Sequence, residues 1–230
     1  MSTRSLIALK TKEGKFKVIY CHSDGYLGFN GMILLNYYKD YDKVEKLLNL
    51  GDISSLGTDP STEENQTIKT STYTINTYVN DYKRWRNENC PAKEYNFKEF
   101  NKMCQNASGI EYIYLFLPTK DGGYRWLFKE TLYTRKYRGY EWDDFYHMSG
   151  FKPLTQRAID IELCMGYLYQ IKLSTQEILR TQSNNILEAL NKKEEYENEC
   201  LKILTKNQFD KAYQLYFKEY HKCYNYMRGL

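Results

Sequence analysis

The run Cys21-His22-Ser23-Asp24 sets a thiol, an imidazole, a hydroxyl and a carboxylate side by side, the side-chain types of nucleophilic catalysis. A Cys–His dyad needs its two groups within hydrogen-bond reach. Neighbouring residues of a strand point to opposite faces, so Cys21 and His22 are poorly placed for each other. His22 and Asp24 share a face and would form a polar pair, with the pocket of a small hydrolase or nucleotide-modifying enzyme as the functional reading. The competing reading has Asp24 capping a turn and His22 bonded to backbone.

Gly25, Gly28 and Gly31 follow at equal spacing and precede a helical pattern, which superficially suits phosphate at a helix N-terminus. The segment lacks the Gly-Lys-Ser/Thr ending of a P-loop and the spacing of a dinucleotide fingerprint, so a tight turn is the expected role. The three histidines, His22, His147 and His221, have no ligand neighbours at the spacing of a metal site. No catalytic residue, metal or cofactor is assigned.

Two clusters interleave cations with rings: Lys83-Arg84-Trp85-Arg86, and Tyr133-Thr134-Arg135-Lys136-Tyr137-Arg138-Gly139-Tyr140. Such segments grip RNA through phosphates and stacked bases, or serve as anchors on a protein surface. Glu141, Asp143 and Asp144 directly after the second cluster weaken a phosphate track, and a solvated loop is the competing expectation there. The candidate partner-binding residues are Arg84, Trp85, Arg86, Tyr133, Arg135, Lys136, Tyr137, Arg138 and Tyr140.

The elements that must position these groups follow from periodicity. Residues 5–10 and 15–21 read as a hairpin around Glu13-Gly14. Met32 to Tyr38 and Asp42 to Leu50 read as short helices, with Gly51 as a C-terminal stop. Residues 57–71 read as an exposed loop, and Thr72 to Val79 as a strand. Asn96 caps a short helix from Phe97 to Cys104. Glu111 to Leu117 and Tyr124 to Phe128 flank Asp121-Gly122-Gly123, a second hairpin. From about residue 154 the period becomes helical. Ser174 and Glu177 have the spacing of a capping box and are expected to open a long helix to about Leu204. Asn207 restarts a helix with an apolar stripe through Phe209, Ala212, Tyr213, Tyr216, Phe217, Tyr220, Tyr224 and Met227, and the two should form an αα-hairpin. That stripe reads as core, with some of the surrounding tyrosines left exposed. The fold class expected is α+β: antiparallel hairpins with short helices over residues 1–150, then a helical extension over 151–230.

Four ordered blocks are distinctive: Ser2-Thr3-Arg4-Ser5; Tyr20-Cys21-His22-Ser23-Asp24-Gly25-Tyr26; Gly31 before Met32-Ile33-Leu34-Leu35; and Leu50-Gly51-Asp52-Ile53-Ser54-Ser55-Leu56-Gly57. They resemble a family of small proteins of bacteriophages, prophages and their hosts, with the pattern S-T-R-S, Y-C-H-W-D-G-Y, a Gly before a short apolar helix, and L-G-D-x-S-S-L-G. Ser23 stands where that pattern has Trp. The resemblance covers a little over half of the chain and implies a phage setting without implying an activity. The helical extension looks foreign to the short family members.

Composition bounds the rest. The 230 residues carry 33 Lys+Arg against 29 Asp+Glu, a net charge of +4 that excludes a DNA mimic and argues against general nucleic-acid binding. Residues 151–230 hold 12 Lys+Arg against 10 Asp+Glu, leaving +2 there and +2 in the first 150, so no half is a basic arm. The 24 tyrosines match the codon supply of an AT-rich genome, which does not account for their interleaving with cations. Six scattered cysteines without a C-x-x-C pair read as free thiols in a reducing compartment. No apolar run approaches the roughly 20 residues of a membrane helix and no secretory leader is evident, so the expected location is the cytoplasm of the bacterial host cell, with no membrane partner. The reading that follows is a non-catalytic, phage-encoded accessory protein that binds a host protein or ribonucleoprotein, for instance as an inhibitor of an antiviral system such as a CRISPR effector. The alternatives are the His22/Asp24 enzyme and an RNA-binding module.

Overall fold

The computed structural model describes residues 2–64, 66–70, 74–137, 142–180, 186–218, 222–223, 226–227 and 229. Residues 132–137, 142–148, 177–180 and 186–187 are described by backbone alone. The fold is α+β. Contacts divide it into two compact units, Met1–Thr155 and Gln156–Leu230.

The first unit is built on a mixed sheet. Strands β1 (Ser5–Lys10) and β2 (Phe16–Cys21) form the expected hairpin. The chain then makes a π-helical turn, Leu27–Gly31, and two helices, α1 (Met32–Tyr37) and α2 (Tyr41–Asn49). Asp40 caps α2 by accepting from the Lys43 amide. Strand β3 (Ile53–Ser55) returns parallel to β2. Short strands β4 (Thr67–Lys69) and β5 (Thr74–Asn76) pair with each other, and β6 (Asn80–Asp81) pairs with β3. Helix α3 (Tyr82–Arg86) follows, then β7 (Lys93–Tyr95) and α4 (Phe97–Gln105). Strands β8 (Tyr112–Pro118), β9 (Tyr124–Tyr137), β10 (Trp142–Met148) and β11 (Lys152–Pro153) complete the unit.

The sheet order is β10-β9-β8-β1-β2-β3-β6, with β7 on β2 and β11 on β9. Hairpins alone do not describe it, because β1 pairs parallel with β8 and β2 parallel with β3. A parallel neighbour requires a crossover, which the turn, α1 and α2 supply between β2 and β3. On one face α4 packs Phe100 and Cys104 against Ala8, Phe16, Val18, Ile113 and Leu115. Its N-terminus carries a full capping box between Asn96 and Glu99. On the other face the Trp126 indole donates to the Tyr38 carbonyl at 2.7 Å, and the Tyr38 hydroxyl donates to the Gly57 carbonyl at 2.8 Å.

Two expectations are corrected in this unit. Residues 57–71 are not simply an exposed loop: Gly57 and Thr58 are buried, and β4 pairs with β5. The first part of the second cluster is strand rather than loop. β9 leaves β8 after Glu130 and continues through Tyr137 paired with β10. Its Thr- and Tyr-rich composition favours this. Arg138, Gly139, Tyr140 and Glu141 lie outside the described residues.

The second unit has helices α5 (Gln156–Arg180), α6 (Ile186–Ile203) and α7 (Lys206–Lys218). Contacts between Arg157 and Ile203, Cys164 and Cys200, and Tyr167 and Tyr196 run in opposite sequence directions, so α5 and α6 are antiparallel. The hairpin is therefore α5–α6, and the Ser174/Glu177 capping box does not form. Ser174 lies buried within α5, where the apolar series Cys164, Leu168, Ile171 already continues the helix. A cap needs a non-helical residue. The box that does form is Thr205/Gln208 ahead of α7, each side chain bonding the other's amide. Phe209, Ala212, Tyr216 and Met227 are core, as the stripe predicts, while Phe217 is exposed and Tyr220 and Tyr224 lie outside the described residues. Tyr196 and Tyr226 pack half-buried against this core rather than projecting freely.

Gly51 marks a tight backbone crossing. It adopts φ +79°, and an added Cβ would sit 2.2 Å from the Cys90 carbonyl oxygen. Gly51→Ala should therefore lower stability by at least about 2 kcal/mol, from conformational strain plus the backbone clash. Thermal or urea unfolding measures it, and a wild-type midpoint would refute the crossing.

Candidate functional site

The four sequence blocks converge at the end of β2. Gly25 donates its amide to the Thr3 carbonyl at 2.8 Å and accepts from the Tyr114 hydroxyl at 2.8 Å. A Cβ there would lie 2.8 Å from the Ser5 Cβ, so only glycine lets the two segments meet. The Ser2 hydroxyl donates to the His22 carbonyl. The amides of His22 and Ser23 donate to the carbonyls of Ile53 and Ser54, extending the parallel ladder. Asn30, fully buried in the π-helical turn, has its amide nitrogen 3.3 Å from Ser5 Oγ, Cys21 Sγ and the Ser23 carbonyl. These motif residues build a junction.

Asp52 joins that junction to α3. Its carboxylate accepts from the Tyr20 amide at 2.8 Å, its amide donates to the Cys90 carbonyl, and its carbonyl accepts from the Tyr82 amide at 3.0 Å. Partial burial raises the Asp52 pKa, opposed by the Tyr20 bond. Asp81, only 2% exposed, caps α3 through the Arg84 amide, and Arg84 Nε lies 2.8 Å from its Oδ2 as an ion pair.

The result is a cation–aromatic ledge. Buried Tyr82 is its floor, with ring centroids of Tyr20 at 6.5 Å and Trp85 at 6.3 Å. Trp85 is 52% exposed. The Arg86 guanidinium lies over both rings, 4.4 Å from the Trp85 centroid and 4.9 Å from that of Tyr82. Among the described residues neither Arg86 nor Lys83 has a carboxylate at ion-pair distance. Arg84, by contrast, is held by Asp81 and sits over Tyr78.

His22 belongs to this ledge. Its Nδ1 is 2.9 Å from the Tyr20 hydroxyl. Burial, with Tyr82 nearby, raises the Tyr20 pKa, so the phenol keeps its proton. Asp24 is exposed at φ 56°, and its carbonyl accepts from the Asn30 amide. Among the described residues no hydrogen bond joins His22 to Asp24. Thus the structure connects the His22 position with the Arg84-Trp85-Arg86 cluster through Tyr20 and Tyr82, a link sequence reasoning missed. The signal available was the aromatic Tyr82 directly before the cluster.

The second cluster is arranged differently. Register sets Tyr133 opposite Tyr146, Arg135 opposite Asp144, Lys136 opposite Asp143 and Tyr137 opposite Trp142. Each described cation position faces an acidic one across the β9–β10 ribbon. Among the described residues no group of three or more His, Cys, Asp or Glu side chains is placed to hold a metal ion, and no helix is long and apolar enough to cross a membrane.

All six cysteines are free. Burial pushes the Cys21, Cys104 and Cys223 thiols up to about 11, whereas Cys90 is partly exposed. At pH 8 iodoacetamide should modify Cys90 while Cys21 stays unmodified until denaturant is added; peptide mapping distinguishes them, and equal rates would contradict the packing. These thiols keep their protons in the folded state and lose them near pH 8.5 when unfolded, so the melting temperature should fall as pH rises from about 9 towards 11. Comparison with protein-family models, with curated proteins and with solved structures finds no match to this chain.

Proposed function

We propose that the chain is a non-catalytic binding protein, a phage-encoded accessory factor that engages a host protein or ribonucleoprotein in the bacterial cytoplasm. The observation that carries the reading is the Trp85–Arg86 ledge. An exposed indole carries a guanidinium that has no carboxylate at ion-pair distance among the described residues, and Trp and Arg are enriched among the residues that anchor interfaces. Both are held on a floor fixed by the buried Asp81 and half-buried Asp52 carboxylates, so little ordering remains to be done on binding. The phage setting rests on the resemblance of the four blocks. Within it, inhibition of a bacterial antiviral system such as a CRISPR effector is the instance we put forward.

The hydrolytic alternative has less behind it, since His22 is engaged by Tyr20 and Asp24 stands apart from it. The protein reading makes the second cluster a secondary contact, where rings rather than net charge would act. The test is a tagged chain expressed in a host that carries an active defence system. One stoichiometric partner and protection of infecting phage are expected, with both lost in the Trp85→Ala/Arg86→Ala double variant. Absence of a partner together with absence of protection would overturn the reading.

A further inference from the structure

We propose that the ledge takes a stretch of single-stranded RNA, with one base lying against the exposed face of Trp85 and phosphates meeting Arg86 and Lys83. This rests on the reading of the ledge as the binding surface and adds the chemistry of its occupant.

The charges of the region are sorted by depth. Asp52 and Asp81 are turned inward and used as acceptors for the Tyr20 and Arg84 amides. Lys83, Arg84 and Arg86 are exposed. With Arg84 paired to Asp81, Lys83 and Arg86 are the cations of the ledge that have no carboxylate at ion-pair distance among the described residues, and they favour an anionic contact although the chain as a whole is nearly balanced. Arg86 is the sharper indicator. Its guanidinium carbon lies 4.4 Å from the Trp85 centroid and 4.9 Å from that of Tyr82, and among the described residues no carboxylate stands at ion-pair distance from its N–H fork. That fork matches the paired oxygens of a phosphate.

The exposed indole selects a single strand. Bases in a duplex are already stacked, and an A-form helix presents sugar and phosphate to a protein surface. An unpaired base can lie on the ring, and any base has a face to offer. The ribose has partners along the same line. His22 Nδ1 lies 2.9 Å from the Tyr20 hydroxyl, and the Ser2 and Ser23 hydroxyls lie 3.5 Å apart, with the Ser2 hydroxyl bonded to the His22 carbonyl. A 2′-hydroxyl can both donate and accept at such a site. Asp24 and Glu88 are also exposed, so the footprint is a few phosphates rather than a long track. The β9–β10 ribbon is no rival for them, because its described cation positions face acidic ones in register.

The test is fluorescence anisotropy of the full chain with labelled oligouridine and oligothymidine of about 12 nucleotides, and with heparin, an anion without bases. Oligouridine should bind tighter than oligothymidine and weaken about tenfold between about 50 and 200 mM salt, as two or three phosphate contacts predict. Trp85→Ala should weaken it about tenfold while Trp85→Phe retains most of the affinity. Lys83→Ala, a change at an exposed position that leaves the Tyr82 floor intact, should flatten the salt slope. No binding at low salt, equal affinity for the DNA strand, or affinity matched by heparin and indifferent to Trp85→Ala would each overturn the proposal. The same variants in the host-partner capture separate the two readings. Capture lost in Trp85→Ala without any oligouridine binding refutes the RNA occupant alone. Capture unaffected, with no oligouridine binding, refutes both.

Discussion

The side chain and backbone of Asp52 hold together what would otherwise be three separate pieces of chain. One residue accepts from β2, donates to the segment at Cys90 and accepts from the first residue of α3. A helix of five residues has almost no stability of its own, since nucleation costs more than its few bonds return. α3 exists because both of its ends are fastened: Asp81 caps its start, and Asn87 closes it in the left-handed conformation. Asp52 then ties that small helix to the strand bearing Tyr20 and His22. The exposed rings and cations therefore stand on fixed backbone, although none of them is in the sheet.

This arrangement also explains why the distinctive blocks contain so few groups suited to chemistry. Ser2, Gly25, Gly51, Asp52 and Gly57 meet backbone atoms, and the glycines stand where a Cβ would strike a carbonyl or a neighbouring side chain. Residues spaced far apart in sequence are required together at one crossing of segments. A motif of that kind reports a shape that must be made, and the surface it supports can vary independently.

Much of the first unit was legible from the sequence because its signals are local. The Asp121-Gly122-Gly123 turn, the β1–β2 hairpin, the Asn96 cap and the Gly51 stop each depend on a few adjacent residues. What was not legible is non-local. No periodicity in β1 or β8 announces that they pair in parallel across some hundred residues, and nothing in Tyr20 or Tyr82 alone says that their rings meet. The Ser174 error is instructive in another way. Its S-x-x-E spacing is correct for a cap, but the apolar series before it was strong enough to carry α5 straight through, and Thr175 satisfied its hydroxyl on the Ile171 carbonyl. The candidate site was half legible: its members were named, and their union was made by tertiary structure.

The π-helical turn at Leu27–Gly31 sets a phase. A π turn holds one residue more than an α turn, so it rotates everything after it by about 100° relative to an uninterrupted helix. α1 begins immediately afterwards, and Tyr38 at its end must reach both the Trp126 indole and the Gly57 carbonyl. The turn thus works as a clocking device, and its length is as much a part of the design as its composition. Homologues with a residue gained or lost there would have to re-aim α1, or find another way to join the two faces of the crossover.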